Sequence, residues 1–82
     1  MTAPFTLYST SWCPFCHLLK NDLATAGIDY LEVDIERDEQ AAERVMQVNG
    51  GNRTVPTLEF SDGSTLTNPG LDEVQQKLAA LV

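Results

Sequence analysis

The spacing of apolar residues changes repeatedly along this chain, and that alternation limits the folds it can adopt. Apolar side chains at every second position are typical of strands, whereas spacings of three and four are typical of helices. Their order along the 82 residues predicts the elements β-α-β-α-β-β-α. We therefore expect an α/β fold, a four-stranded mixed sheet flanked by three helices that cover both of its faces.

Strands are predicted at residues 5–9, 31–35, 57–60 and 64–67. In the second strand, Leu31, Val33 and Ile35 alternate with Glu32 and Asp34, which predicts one face turned towards a core. Each predicted helix has its apolar residues on one side. Those expected to face inwards are Phe15, Leu18, Leu19, Leu23 and Ala26 in the first helix, Ala41, Val45 and Val48 in the second, and Leu71, Val74, Leu78 and Leu81 in the third.

Capping and turn residues set the limits of these elements. Proline is favoured at the first helical position and glycine just after a helix end, whereas Asp and Asn are favoured as N-caps. Asp-Gly is typical of a tight hairpin. These rules predict starts at Pro14, at Asp38 and at Asn68 with Pro69, ends at Gly27 and at Asn49-Gly50-Gly51, and a hairpin at Asp62-Gly63.

Size and charge exclude several functions. The chain has room for one domain, which we assign to residues 1–82. Twelve acidic and five scattered basic residues give a formal net charge of −7, so we expect no binding to nucleic acid. No apolar run is long enough to span a membrane, and residues 1–5 do not resemble a secretory signal. We expect a cytoplasmic monomer that does not bind membranes.

The two cysteines, Cys13 and Cys16, lie at the predicted start of the first helix. A sulfur there faces unpaired backbone N–H groups and the positive end of the helix dipole, which stabilise the reactive thiolate. Cys16 lies one turn further on, close enough to form a disulfide. We predict a redox pair in which an exposed Cys13 attacks and an inner Cys16 resolves, without a bound metal or organic cofactor.

Three alternatives for the pair remain open. A structural zinc site usually has four ligands, but His17 is the sole histidine and is expected at the surface. Cys13-Pro14-Phe15-Cys16-His17 also satisfies the pattern for covalent haem attachment, which would require export and a distal ligand such as Met46. The third alternative is a redox-inert adaptor, against which the intact pair and Pro14 argue.

Two segments together with the element order resemble the glutaredoxin family of the thioredoxin fold. They are Trp12-Cys13-Pro14-Phe15-Cys16 after a strand and Arg53-Thr54-Val55-Pro56 before one, and the resemblance covers essentially the whole chain. It implies that Cys13 is the nucleophile and Cys16 the resolving thiol. It also implies a cis proline at Pro56, with the Val55 backbone pairing with a disulfide substrate. The implied substrate-binding residues are Trp12, Phe15, Arg53, Thr54, Val55, Pro56 and Asn68, with Arg53 able to hold a carboxylate.

Two positions differ from the members of the family that use glutathione. Thr10 stands where they commonly have Lys or Arg, and Thr67-Asn68-Pro69-Gly70 stands where they have a Gly-Gly turn with an acidic residue nearby. Both segments are instead similar to the actinobacterial mycoredoxins, which use mycothiol, a sugar-containing thiol. The resemblance implies mycothiol as co-substrate, thiolated or disulfide-bonded proteins as substrates, and NADPH as the electron source through a separate disulfide reductase.

Other branches of the family offer two further alternatives. One is a glutathione-dependent glutaredoxin. The other is a thioredoxin-like electron donor to ribonucleotide reductase, although the Trp-Ser-Gly-Phe-Arg-Pro segment typical of that branch is absent and Leu66-Thr67-Asn68-Pro69 stands there instead.

Overall fold

The element order of the computed structural model, which describes residues 3–81, is the predicted one. Met1 and Thr2, part of the segment considered as a signal, lie outside the described residues, as does Val82. Within residues 3–81, no helix is long and apolar enough to cross a membrane. The elements are β1 (Phe5–Ser9), α1 (Pro14–Thr25), β2 (Leu31–Asp34), α2 (Glu39–Val48), β3 (Thr57–Phe60), β4 (Thr65–Thr67) and α3 (Leu71–Ala80).

The four strands form one mixed sheet in the order β2-β1-β3-β4. β1 runs parallel to β2 and antiparallel to β3, and β3 and β4 form an antiparallel hairpin, as predicted. Leu7 lies opposite Leu58, and Tyr8 lies opposite Thr57. This register places the residues that follow β1 beside those that precede β3.

Helices cover both faces of the sheet, as predicted. Leu7 and Leu58 are fully buried on the face covered by α1 and α3, and burying one such leucine contributes roughly 1.5–3 kcal/mol. The core of that face comprises Phe5, Leu7, Leu19, Leu23, Leu58, Phe60 and Val74. A smaller cluster of Ile35, Ala41, Ala42 and Val45 packs between α2 and the other face.

Helix α1 begins and ends where its sequence predicts. Cys13 is its N-cap in an extended conformation (φ −83°, ψ 113°), and Pro14 takes the first helical position. At the other end Gly27 has a φ of +71°, which favours glycine. The Ile28 N–H then reaches back to the Leu23 carbonyl at 3.0 Å, so the last carbonyls of the helix are paired.

Helix α3 begins later than predicted. Asn68 was expected to cap it, but the N-cap is Gly70, whose N–H donates to the Glu73 carboxylate at 3.4 Å. The physical reason is a long-range contact. The Asn68 N–H donates to the Pro56 carbonyl at 2.8 Å, which holds Asn68 at the end of the hairpin with a φ of +47°. The prediction of an Asn68 cap with Pro69 at the first helical position is therefore wrong.

Four apolar residues expected to face the core are exposed: Leu31, Phe15, Leu18 and Ala26. Leu31 is 57% exposed because β2 forms an edge of the sheet. Phe15 and Leu18 are 59% and 62% exposed, whereas Leu19 and Leu23 are buried. Each four-residue step around a helix advances the side chain by about 40°, so the spacing from Phe15 to Leu23 does not hold all of its members on one face.

An ion pair joins α2 to β3 on the α2 face of the sheet. Arg44 donates from Nε and Nη2 to the two Glu59 carboxylate oxygens, both at 3.0 Å. The Tyr8 hydroxyl donates to Glu59 Oε1 at 3.2 Å. The hydrogen bond from Arg44 is the main cause that lowers the pKa of Glu59 below its ordinary value of 4.5.

We predict that Glu59→Gln lowers the free energy of unfolding at pH 7 by about 1 kcal/mol. Because the folded-state pKa of Glu59 is depressed, its contribution is present above pH 4.5 and is lost as the pH falls through the folded-state value. Urea unfolding at pH 7 and pH 3 measures the difference. Glu36→Gln, an exposed glutamate outside this cluster, is the control. An equal effect of Glu59→Gln at both pH values would contradict the prediction.

Candidate active site

The cysteine pair lies where the chain leaves β1 and enters α1. The Cys13 N–H donates to the Thr10 carbonyl at 3.5 Å, and the Cys13 carbonyl accepts from the His17 N–H at 3.2 Å. The Cys13 sulfur accepts a hydrogen bond from the Cys16 N–H at 3.3 Å. It thus occupies the position of a capping oxygen, facing backbone N–H groups that have no partner within the helix.

Both cysteines are free thiols, and both are buried. Cys13 is 3% exposed and Cys16 is fully buried, so the expectation that Cys13 is exposed is wrong. The cause is the loop before β3, because Cys13 Sγ lies 3.7 Å from the Val55 carbonyl, to which the thiol donates. The Val55 carbonyl is thus the part of that loop that lies directly against the sulfur.

The second thiol is held in its protonated form. Burial is the main cause that raises the pKa of Cys16 to about 12, and its hydrogen bond to Cys13 is the next. A hydrogen bond with the Thr10 backbone partly offsets this by lowering the pKa of Cys16. Near neutral pH Cys16 is therefore a proton-bearing thiol beside the Cys13 sulfur.

The loop before β3 contains a cis peptide bond between Val55 and Pro56, as the resemblance implied. Pro56 is buried, and Thr54 and Val55 are half-buried. The Pro56 carbonyl accepts from Asn68, and the Val55 carbonyl accepts from Cys13. These contacts bring Cys13, Cys16, Val55, Pro56 and Asn68 together from three separate parts of the chain.

The remaining predicted site residues lie around this cluster. Trp12 is 66% exposed and flanks Cys13, as does the exposed Phe15 one helical position after Pro14. Arg53 is exposed in the loop two residues before Val55. His17 is exposed as predicted, with Nε2 2.8 Å from the Ser11 carbonyl.

Two charged residues near the cysteines, Lys20 and Glu32, form an ion pair with each other. Glu32 accepts from Lys20 Nζ at 2.9 Å and from the Ser9 hydroxyl at 2.7 Å. The hydrogen bond from Lys20 is the main cause that lowers the pKa of Glu32. In the described part of the chain, no three His, Cys, Asp or Glu side chains are grouped as metal ligands.

Sequence inspection missed two features of the site. Thr10 is 3% exposed, and its hydroxyl has no hydrogen-bond partner among residues 3–81. Asn49 bonds through its side chain to Thr57 and Thr67, behind the cis-proline loop. The alternation in the hairpin places Thr57 and Thr67 on one face, but it gives no sign of Asn49, which comes from another element.

Comparison with known proteins agrees with this geometry. Residues 5–64 match the sequence profile of the Glutaredoxin family. A glutaredoxin-named protein of Mycobacterium tuberculosis is 58% identical over 81 residues, which cover 99% of this chain and 96% of its own length. Mycoredoxin 1 of Corynebacterium glutamicum is 47% identical over 76 residues, covering 93% of this chain and 94% of its own.

Solved structures give the same fold. The thioredoxin-like protein BC3987 superposes with a TM-score of 0.73 at 25% identity, covering 88% of this chain and 96% of its own. The NrdH-redoxin of Escherichia coli superposes with a TM-score of 0.72 at 24% identity, covering 88% and 91%. With a cysteine pair at the start of α1 facing a cis-proline loop, the chain belongs to the glutaredoxin family and is a thiol–disulfide oxidoreductase of the thioredoxin fold.

Proposed function

We propose that this enzyme removes mycothiol from mixed disulfides on cytoplasmic proteins. The observation that carries the proposal is the uncharged character of two positions beside the pair. Thr10 is buried next to the cysteines, and Asn68 is tied to the Pro56 carbonyl at 2.8 Å. Glutathione carries two carboxylates that charged side chains can pair, whereas a sugar-containing thiol presents hydroxyl groups that amides and hydroxyls can bind. The similarity to Mycoredoxin 1 supports the same choice.

The first step is attack of the Cys13 thiolate on the mycothiol sulfur of the mixed disulfide. A Cys13–mycothiol disulfide forms, the disulfide of the target breaks, and the target leaves as a thiolate that takes up a proton. During attack, the backbone of Val55 pairs with the substrate beside the sulfurs, like an added strand. Val55 is suited to this because its carbonyl already faces Cys13 at 3.7 Å.

The second step frees Cys13. A second mycothiol thiolate attacks the mycothiol sulfur on Cys13, which releases the Cys13 thiolate and forms mycothiol disulfide for a separate NADPH-dependent reductase. In the competing route, Cys16 attacks Cys13, forms the Cys13–Cys16 disulfide and releases mycothiol. Burial holds the pKa of Cys16 high, at about 12 in the reduced pair. A protonated thiol is a poor nucleophile, so the route through a second mycothiol is favoured.

A concave surface of about 530 Å³ is formed by residues that come shortly before the cis-proline loop in the sequence. It is lined by Glu43, Met46, Gln47, Gly50 and Gly51. Gly51 precedes Val55 by four residues, which span at most about 14 Å when extended. Arg53 lies between the two regions in the sequence.

Protein substrates have an apolar surface available on α1. We define the α1 apolar surface as Trp12, Phe15 and Leu18, each about 60% exposed and three residues apart. Among the first 27 residues, Lys20 and Asp22 are the only ones counted in the formal charge, and they cancel each other. The net charge of −7 therefore comes from the rest of the chain. An uncharged apolar surface beside the nucleophile suits a protein partner, because Leu18 extends it beyond the cysteines.

The choice of thiol is tested by a coupled NADPH assay with three reducing systems run in parallel. They are mycothiol with its reductase, glutathione with its reductase, and thioredoxin reductase. We expect NADPH oxidation with a mycothiolated protein to be at least about tenfold faster in the first system than in the others. A rate that is equal or higher with glutathione or with thioredoxin reductase would refute mycothiol specificity.

The roles of the cysteines are tested by two matched substitutions. Cys13→Ser is expected to lower activity on a mycothiolated protein at least about a thousandfold, because the nucleophile is lost. Cys16→Ser is expected to retain about half or more of the activity, because a second mycothiol can free Cys13. Steady-state rates measure both. Equal loss in the two variants would exclude the route through a second mycothiol.

The α1 apolar surface is tested with Leu18→Gln. We expect the KM for a mycothiolated protein to rise about threefold to tenfold, since burying this leucine contributes about 1 kcal/mol. A small mixed disulfide of mycothiol and cysteine should react as before. Leu31→Gln is the matched control, because Leu31 is 57% exposed and pairs with Thr6, at the end of β2 remote from the cysteines. The proposal fails if Leu31→Gln has the same effect, or if both substrates are affected equally by Leu18→Gln.

A further inference from the structure

Asn49, the C-cap of α2, connects three elements through its side chain. Its Nδ2 donates to the Val45 carbonyl at 2.9 Å and to Thr57 Oγ1 at 3.1 Å. Its Oδ1 accepts from the Thr67 hydroxyl at 2.7 Å. Thr57 and Thr67 lie directly opposite each other in the β3–β4 register, so one amide bonds to both members of a cross-strand pair.

The network continues from Thr57 into the cis-proline loop. The Thr57 hydroxyl donates to the Thr54 carbonyl at 2.7 Å, and Thr57 is fully buried. Thr54 is bonded to Val55, whose carbonyl faces Cys13 Sγ at 3.7 Å. Two hydrogen bonds in series therefore connect Asn49 to Thr54. Thr54 is the neighbour of Val55, which contacts the nucleophile.

The directions of these hydrogen bonds follow from donor counting. A hydroxyl has one hydrogen, and that of Thr57 is used on the Thr54 carbonyl. Thr57 Oγ1 must therefore accept from Asn49, which turns Nδ2 towards Thr57 and Oδ1 towards Thr67. Thr57 is fully buried, whereas Asn49 is half-buried and Thr67 is exposed. A buried hydroxyl that has both of its partners tolerates few other arrangements.

We propose that Asn49 is a positioning residue for substrate binding. By donating to Thr57 Oγ1 it fixes the Thr57 hydroxyl as a donor to the Thr54 carbonyl. This fixes the peptide plane between Thr54 and Val55, and so the direction of the Val55 N–H that pairs with the mixed disulfide. Asn49 itself does not touch the substrate. The inference rests on the proposed function only in that the loop binds a disulfide substrate.

The consequence is a separation of substrate binding from thiol chemistry. Alkylation of Cys13 by iodoacetamide does not require the Val55 backbone to pair with anything, whereas binding of a mixed disulfide does. Asn49→Ala should therefore raise the KM for the mixed disulfide while leaving kcat and the alkylation rate of Cys13 nearly unchanged. Simple destabilisation of α2 would change the unfolding transition without this split.

The test measures KM, kcat and the Cys13 alkylation rate for Asn49→Ala, Thr57→Val and Thr67→Val in the full chain, below each variant's unfolding transition. We expect a KM increase of about fivefold to tenfold for the first two, with kcat and alkylation within about twofold of wild type. Thr67→Val is the matched control. It removes one hydrogen bond to Asn49 but leaves the connection from Asn49 through Thr57 to Thr54, so its KM should stay within about twofold.

A double-mutant cycle gives a second measure, because it tests whether the two residues act in series. If Asn49 and Thr57 act in series, the KM of Asn49→Ala/Thr57→Val should equal that of either single variant. The inference is overturned if the two effects multiply, if alkylation falls in parallel with kcat/KM, or if Thr67→Val raises KM as much as Asn49→Ala. The assay uses the thiol that the wild-type enzyme handles fastest. A preference for glutathione would thus refute the proposed function without affecting the Asn49 comparison.

Discussion

The site depends on one contact, between the Cys13 sulfur and the Val55 carbonyl 42 residues further along the chain. The sheet makes this contact possible. Antiparallel pairing of Tyr8 with Thr57 brings the segment after β1 and the segment before β3 to the same end of the sheet. Pro14 starts a helix at that end, so the sulfur that contacts Val55 also accepts a hydrogen bond from the Cys16 N–H as a capping group. One sulfur thus lies between a helix N-terminus and the cis-proline loop.

Burial then separates the roles of the two thiols. Cys13 and Cys16 are both buried, and burial raises the pKa of the Cys16 thiol to about 12. Cys13 instead lies against a backbone carbonyl that a substrate can replace. The loop that carries this carbonyl therefore lies directly beside the sulfur. On the α1 side, the exposed Trp12 and Phe15 flank the pair.

Features set by local chemistry could be predicted from the sequence. Pro14, Gly27 and Asp62-Gly63 each fix a helix limit or a turn within a few residues, and the structure confirms them. Features set by distant contacts could not. Asn68 has the residue type of an N-cap, but the Pro56 carbonyl holds it in the hairpin. The burial of Cys13 and the bridging role of Asn49 likewise depend on segments far away in sequence.

The central claim is that Cys13 takes mycothiol from a protein mixed disulfide, and trapping the intermediate tests it most directly. The Cys16→Ser variant is mixed with a stoichiometric amount of mycothiolated protein, quenched with acid, and analysed by intact-mass and peptide mass spectrometry. The account predicts one mycothiol on Cys13 and an equal amount of target released with a free thiol. Mycothiol left on the target, or the target protein itself joined to Cys13, would contradict it.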